Sequence, residues 1–234
     1  MALSLRNAGT VTQTASGAST TITPGACTFV AGDLFILTLG SYVTGDTWTT
    51  PTGFTLFATR TNHHSIYGRI AVGGDTPPLC TSSGTSVHTA GLLALQGTVW
   101  PTIGTMAEAT NNAFQSSASA AAYPSLTIAG QPGFASNNDY ILIYGQRNKT
   151  DDTDGATWAT VAGATKLQEI YGNGFVDAWT LQGIQQTTRT DISAGTIAAT
   201  GGTPESVATT GLVIALRTAL ASAGILSQLI QHSR

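Results

Sequence analysis

Two stretches decide how this chain is read: Asp33-Leu34-Phe35-Ile36-Leu37-Thr38-Leu39-Gly40 and, 106 residues on, Asp139-Tyr140-Ile141-Leu142-Ile143-Tyr144-Gly145. Each is a short apolar run opened by Asp and closed by Gly. A run of this length, rich in aliphatic and aromatic residues and bounded by turn formers, reads as a β-strand. The same signature recurs at Thr55–Arg60, Ile66–Val72, Val87–Gln96, Ser125–Ala129, Thr165–Tyr171, Val176–Gln182 and Val207–Leu216. Turn chemistry separates the runs: Gly73-Gly74-Asp75, Pro77-Pro78, Asn137-Asn138, Gly172-Asn173-Gly174 and Gly201-Gly202.

The two opening stretches belong to an internal repeat. Thr47–Leu56 (TWTTPTGFTL) aligns with Thr157–Lys166 (TWATVAGATK) and keeps Trp48/Trp158 and Gly53/Gly163. Ser86–Leu95 (SVHTAGLLAL) aligns with Ser206–Ala215 (SVATTGLVIA). The three blocks keep their order. Each half then reads as roughly four main strands, and two halves supply two packed antiparallel sheets. The expected fold is therefore all-β, an antiparallel sandwich built from two duplicated halves. Its divisions are an N-terminal arm (1–24), a first half (25–97), a linker (98–123), a second half (124–217) and a C-terminal tail (218–234). The whole is expected to be one domain, because half a sandwich leaves an apolar face uncovered. Thr218–Arg234 spaces Leu220, Ala223, Leu226, Leu229 and Ile230 as a short amphipathic helix.

Composition narrows the function classes. Of 234 residues only 9% are charged, for a net charge of −3, whereas Thr numbers 40 and Ala 32. Ordinary soluble proteins are about one quarter charged. A nucleic-acid binder needs a basic footprint, which is missing. Helical bundles need Glu, Lys, Leu and Arg in bulk. General acid–base chemistry draws on clustered His, Glu, Asp or Lys, and these are scarce. No run approaches the roughly 18 apolar residues of a membrane span, and the start lacks a signal peptide's apolar stretch. Folding in the cytoplasm is expected. Cys27 and Cys80 read as two buried free thiols, with a bridge between them as the alternative.

No catalytic, cofactor or metal residue is predicted. His63-His64 are adjacent and point to opposite faces of a strand, so they do not form a metal pair. His88 and His232 have no sequence partner. Arg147–Gly155 (RNKTDDTDG) gathers Arg147, Lys149, Asp151, Asp152 and Asp154 and reads as a solvated loop. A Ca²⁺ site is its alternative, although no Glu closes the loop. Glu108, Glu169 and Glu205 leave a glycosidase pair as a remote reading. Trp48 and Trp158, equivalent in the repeat, read as core residues. Sugar stacking is the alternative, and Trp100 and Trp179 stand outside the repeat.

The order of motifs carries a resemblance. Gly32-Asp33-Leu34, the Thr-rich Thr47-Trp48-Thr49-Thr50, the turn Pro51-Thr52-Gly53-Phe54-Thr55 and Gly91-Leu92-Leu93-Ala94-Leu95 follow one another. This resembles jelly-roll-like proteins of tailed-phage particles and prophages, in which Trp is commoner than Phe54 at the aromatic position. The resemblance covers about residues 25–217, and related patterns occur in bacterial surface and carbohydrate-binding modules. It implies a non-enzymatic virion structural role. A capsid decoration protein assembled in the host cytoplasm is favoured over a tail or fibre component. It also implies contacts to major capsid or tail proteins and a homo-oligomer, with host glycan as an alternative ligand. The Ala8–Pro24 arm and the C-terminal segment are the expected contact regions.

Overall fold

The structure is a computed structural model. It describes residues 3–14, 19–42, 45–60, 64–97, 103–115, 120–127, 140–148, 157–173, 176–186, 190–200 and 209–217. Nearly every element is a strand. The first half contains β1 (Ser4–Ala8), β2 (Thr12–Gln13), β3 (Ser19–Ile22), β4 (Leu34–Ser41), β5 (Trp48–Thr49), β6 (Thr55–Arg60), β7 (His64–Ile70), β8 (Cys80–Ser86) and β9 (His88–Gln96). After a 3-10 turn at Ile103–Thr105, the second half contains β10 (Ala107–Gln115), β11 (Ala120–Tyr123), β12 (Tyr140–Asn148) and β13 (Thr157–Trp158). It continues with β14 (Thr165–Asn173), β15 (Val176–Gln185), β16 (Gly195–Thr200) and β17 (Thr209–Leu216).

All ladders are antiparallel, and the two halves share one strand order. The large sheets run β1-β9-β4-β7-β6 and β10-β17-β12-β15-β14, and the small sheets run β3-β8-β5 and β11-β16-β13. Only β2, paired with β9, lacks a counterpart among the described residues. The edge strands even share a bulge, between Leu56 and Ala58 in β6 and between Lys166 and Gln168 in β14. Gly53 and Gly163 sit at equivalent turns with φ of 79° and 77°. A side chain is strained in that left-handed region, which is why the repeat keeps Gly at both positions.

Strand alternation sorts the apolar residues into three cores. On β4, Leu34 and Ile36 face one way, and Phe35, Leu37 and Leu39 the other; on β12, Tyr140, Leu142 and Tyr144 oppose Ile141 and Ile143. The first set from each strand meets in one core shared by both large sheets, with Leu93, Trp179, Leu181 and Leu212. The second sets pack separately against the small sheets. Ile22 and Cys80 close the core of the first half, and Trp158 and Ile197 that of the second. The arrangement is thus small sheet, large sheet, large sheet, small sheet. β6 lies against β10, and β1 against β14, so an approximate twofold axis relates the halves.

This differs from the sequence expectation in several places. Each half brings two sheets of its own, so there are four layers rather than two. The continuous apolar runs of β4 and β12 mark strands covered on both faces. The expected linker 98–123 contains β10 and β11, which repeat the roles of β1 and β3. The expected arm 1–24 supplies β1, β2 and β3. Ser125–Ala129 is not a named strand: Leu126 makes one isolated bridge to Ile192, and residues 128 and 129 lie outside the described residues. The expected helix in 218–234 also lies outside them.

Candidate functional site

The densest polar chemistry collects at one end of the first large sheet, on both of its faces. Ser41 and His88 are register partners on β4 and β9 and point toward the small sheet. Ser41 Oγ donates to Asp46 Oδ2 at 2.6 Å, and His88 Nε2 lies 3.4 Å from the same oxygen. The Trp48 ring meets the imidazole edge-on at 4.8 Å. Both His88 and Asp46 are buried. Burial pushes the His88 pKa below its ordinary value, and the Asp46 contact offsets only part of that. The residue types suggest a Ser-His-Asp hydrolase, but the geometry does not. A nucleophilic serine must donate to the imidazole, which then donates to the carboxylate. Here serine and imidazole both address the carboxylate. The set clasps the chain between β4 and β5 onto the sheet.

On the opposite face, the polar groups join the two halves. Tyr144 OH donates to Gln146 Oε1 at 2.6 Å, and Thr89 Oγ1 donates to the same oxygen at 3.2 Å. His64 stacks at a tilt on Tyr144, with ring centroids 5.1 Å apart. Gly40 makes room for this meeting, because a Cβ there would strike Gln146, Thr89 and His64. Burial holds the Tyr144 phenol far above its ordinary pKa, so it stays protonated and keeps donating. Further along the seam, Gln168 Nε2 donates to the carbonyls of Gly9 (2.7 Å) and Leu92 (3.1 Å). These bonds cross from β14 to the first half and satisfy two buried backbone acceptors.

The remaining candidates are dispersed. Among the described residues no group of three His, Cys, Asp or Glu could hold a metal ion. His63, His232, Lys149, Asp151, Asp152, Asp154, Glu205 and Trp100 lie outside the described residues, so the Ca²⁺ alternative does too. Glu169 is bonded to Lys166 at 2.6 Å on the surface. Trp158 and Trp179 are buried, and Trp48 is partly exposed. Cys27 and Cys80 are free thiols, Cys80 buried and Cys27 half-buried. Burial pushes their pKa values up to about 11 and about 12, which keeps both thiols protonated and unreactive at neutral pH. No described helix is long and apolar enough to cross a membrane.

Sequence reasoning missed a concave feature at the seam between the halves. A groove of about 250 Å³ opens along the β1/β14 side of the seam between the halves. Leu3, Leu5 and Leu167 line it with the Tyr140 ring, and Ser4, Thr165 and Gln185 add polar groups. It is smaller than the roughly 300–1,000 Å³ of pockets for drug-sized ligands. Burial raises the Tyr140 pKa to about 12, so its hydroxyl is a hydrogen-bond donor rather than a base. Nothing in the sequence marks the groove, because its walls come from segments more than 130 residues apart. Set against known proteins, the chain matches no family model, no curated protein and no solved structure.

Proposed function

We propose that this chain is a non-enzymatic structural protein of a virion, a capsid decoration protein on the surface of a tailed-phage particle. The observation that carries the reading is the strand order of each half. Strands β1, β9, β4, β7 and β6 share one sheet and β3, β8 and β5 the other, so the chain crosses repeatedly between layers. We read that winding as jelly-roll-like, an architecture of viral capsid and lectin domains. The step from fold to role is analogy. Composition supports it: hydroxyl-rich, nearly uncharged surfaces cost less to desolvate than Lys and Glu, which suits extended contacts between subunits. Many copies bridging capsid or tail neighbours would each add modest area that symmetry multiplies. The contact surface includes the edges that β1, β2 and β3 build into the sheets, along with the 218–234 segment.

The test is to purify particles from cells that make the chain, count its copies by quantitative mass spectrometry and locate it by cryo-electron microscopy. Copies spread over the head in icosahedral multiples bear the reading out. A few copies at the tail move it to a tail or fibre component, and absence from purified particles overturns it. One observation favours a second reading, host-glycan binding. The winding is shared with lectin domains, and the partly exposed Trp48 ring is available for stacking on a sugar. A glycan array without hits would set that aside.

A further inference from the structure

The surroundings of His88 suit a neutral ring and not a charged one. Its backbone is pinned twice by one residue: Thr14 N–H donates to the His88 carbonyl at 2.9 Å, and His88 N–H donates to Thr14 Oγ1 at 2.9 Å. The side chain is fully buried. Asp46 Oδ2 only accepts, so the neutral ring carries its proton on Nε2 and turns it toward that oxygen, where Ser41 Oγ also donates. Nδ1 is buried without a hydrogen-bond partner among the described residues. That costs little while Nδ1 is a bare lone pair. A second proton makes it a charged donor in the same dry space, which is far more costly to bury. Asp46 offsets only part of this. It is already engaged by Ser41, and 3.4 Å is long for a charge-assisted bond. Asp46 is also the one charged group that acts on the ring. Ser41 on β4, Trp48 on β5, Ser86 on β8 and Thr14 after β2 bring no titrating group to it.

A charged ring gains water for Nδ1 only if a neighbour yields, and the neighbours are held unequally. β4 and β9 lie inside the large sheet, paired with each other and with cores on both faces. The segment Asp46–Thr49 is an edge. Its strand β5 has two residues and pairs with β8 alone, at Trp48↔Ser82 and Thr49↔Thr81. Thr47 exchanges two bonds with Ser83. The inward hold comes from Asp46, through Ser41 and His88, and from the Trp48 ring, which meets the imidazole at 4.8 Å and packs on the core of the first half. We propose that His88, Asp46 and Ser41 form an acid-released latch: protonation of His88 lifts Asp46–Thr49 from the large sheet and turns the Trp48 ring toward water while the rest of the fold stays in place. The latch goes beyond the virion reading and does not depend on it. The second half supplies its comparison. Trp158 occupies the place of Trp48 and is buried, and the residue aligned with His88 is Ala208, which takes up no proton.

The test uses the full chain labelled with 5-fluorotryptophan, with the Trp48 and Trp158 fluorine resonances assigned by Trp48→Phe and Trp158→Phe. Between about pH 7.5 and about pH 4.5 the Trp48 resonance should move toward the shift of free tryptophan and gain a solvent-isotope effect. The change should follow one proton, have its midpoint below about pH 6.5 and reverse on neutralisation. Trp158 should stay in place. His88→Gln should hold the Trp48 resonance at its neutral position throughout. Ser41→Ala serves if that variant does not fold. Removing one donor leaves the Asp46 carboxylate freer to hold the imidazolium, so the midpoint should move up. The proposal is overturned if Trp48 keeps its position down to about pH 4.5, if Trp48 and Trp158 move together, if the acid shift survives in folded His88→Gln, or if Ser41→Ala leaves the midpoint unmoved.

Discussion

The two halves match in strand order, bulge position and turn glycines, yet their polar groups do not. Where β4 carries Gly40 and Ser41, β12 carries Gln146 and Arg147, both buried. Where β9 begins with His88, the aligned position is Ala208. The architecture follows from the apolar register, which puts Leu34 and Ile36 opposite Tyr140 and Leu142 in one core. Polar positions at the strand ends could then diverge, as long as each buried group found a partner. Trp179 tests how far the halves depend on each other. It is fully buried, meets Tyr144 edge-on at 5.5 Å and packs close to Gly91 of the other half. Trp179→Ala should cost about 3–5 kcal/mol, a large part of the roughly 5–15 kcal/mol that holds a domain folded. Calorimetry should show one unfolding transition, moved down as a whole. Two transitions with only one displaced would mean that the halves fold independently.

A smaller effect sharpens the comparison between the two halves. A Cβ at Gly68 would run into the Phe57 ring, and a Cβ at Gly183 into the Tyr140 hydroxyl and Leu167. Phe57 is buried in the core shared by the halves, and the 3-10 turn Ile103–Thr105 packs against the same strand. The Tyr140 hydroxyl borders the open groove and can swing into it. Gly68→Ala should therefore destabilise by about 1–3 kcal/mol, as overpacking does. Gly183→Ala should cost less than about 1 kcal/mol, because the lost chain entropy of glycine offsets part of the strain. Urea unfolding of the two variants gives both numbers. Equal costs would mean that the groove beside Tyr140 is as tightly packed as the core around Phe57.

How much of this was legible depended on side-chain size. The strands that form the shared core, β4, β9, β12 and β17, announce themselves as apolar runs, and Trp48/Trp158 with Gly53/Gly163 expose the repeat. The small sheets do not. In β8, Cys-Thr-Ser-Ser-Gly-Thr-Ser, the inward positions are Cys80, Ser82 and Ser86, so alternation is present but carries little hydrophobic contrast. β11, in the small sheet of the second half, is Ala-Ala-Ala-Tyr, and the large-sheet edge strand β10 is Ala, Asn, Thr, Glu and Gln with one Phe. Periodicity cannot find a strand whose inward residues are as small and polar as its outward ones. Missing those strands turned the opening strands of each half into an arm or a linker and reduced four layers to two. The clasp of Ser41, Asp46 and His88 and the groove were equally hidden, since both join residues that only strand pairing brings together.

The smallest expected effect separates the two halves by pH. His88 is buried beside Asp46, Ser41 and Trp48, and burial holds its folded pKa below the ordinary histidine value of 6.5. Below pH 6.5 the unfolded chain takes up a proton at this position that the folded chain refuses. Stability from this residue is therefore complete above about pH 6.5 and is lost as pH falls from there through the folded pKa. The aligned Ala208 has no titrating group, so acid should loosen the first half before the second. His88→Gln removes the titration while keeping a side chain of comparable reach toward Asp46. Urea midpoints measured between pH 7.5 and 5 should fall more steeply for the wild type than for the variant. Amide exchange at pH 5 should then rise first in β9 and in the chain around Asp46, with β17 still protected. Parallel pH profiles would mean that Asp46 accepts the His88 proton bond well enough to cancel the burial. The clasp would then be insensitive to acid, and the difference between the halves would be one of sequence without energetic consequence.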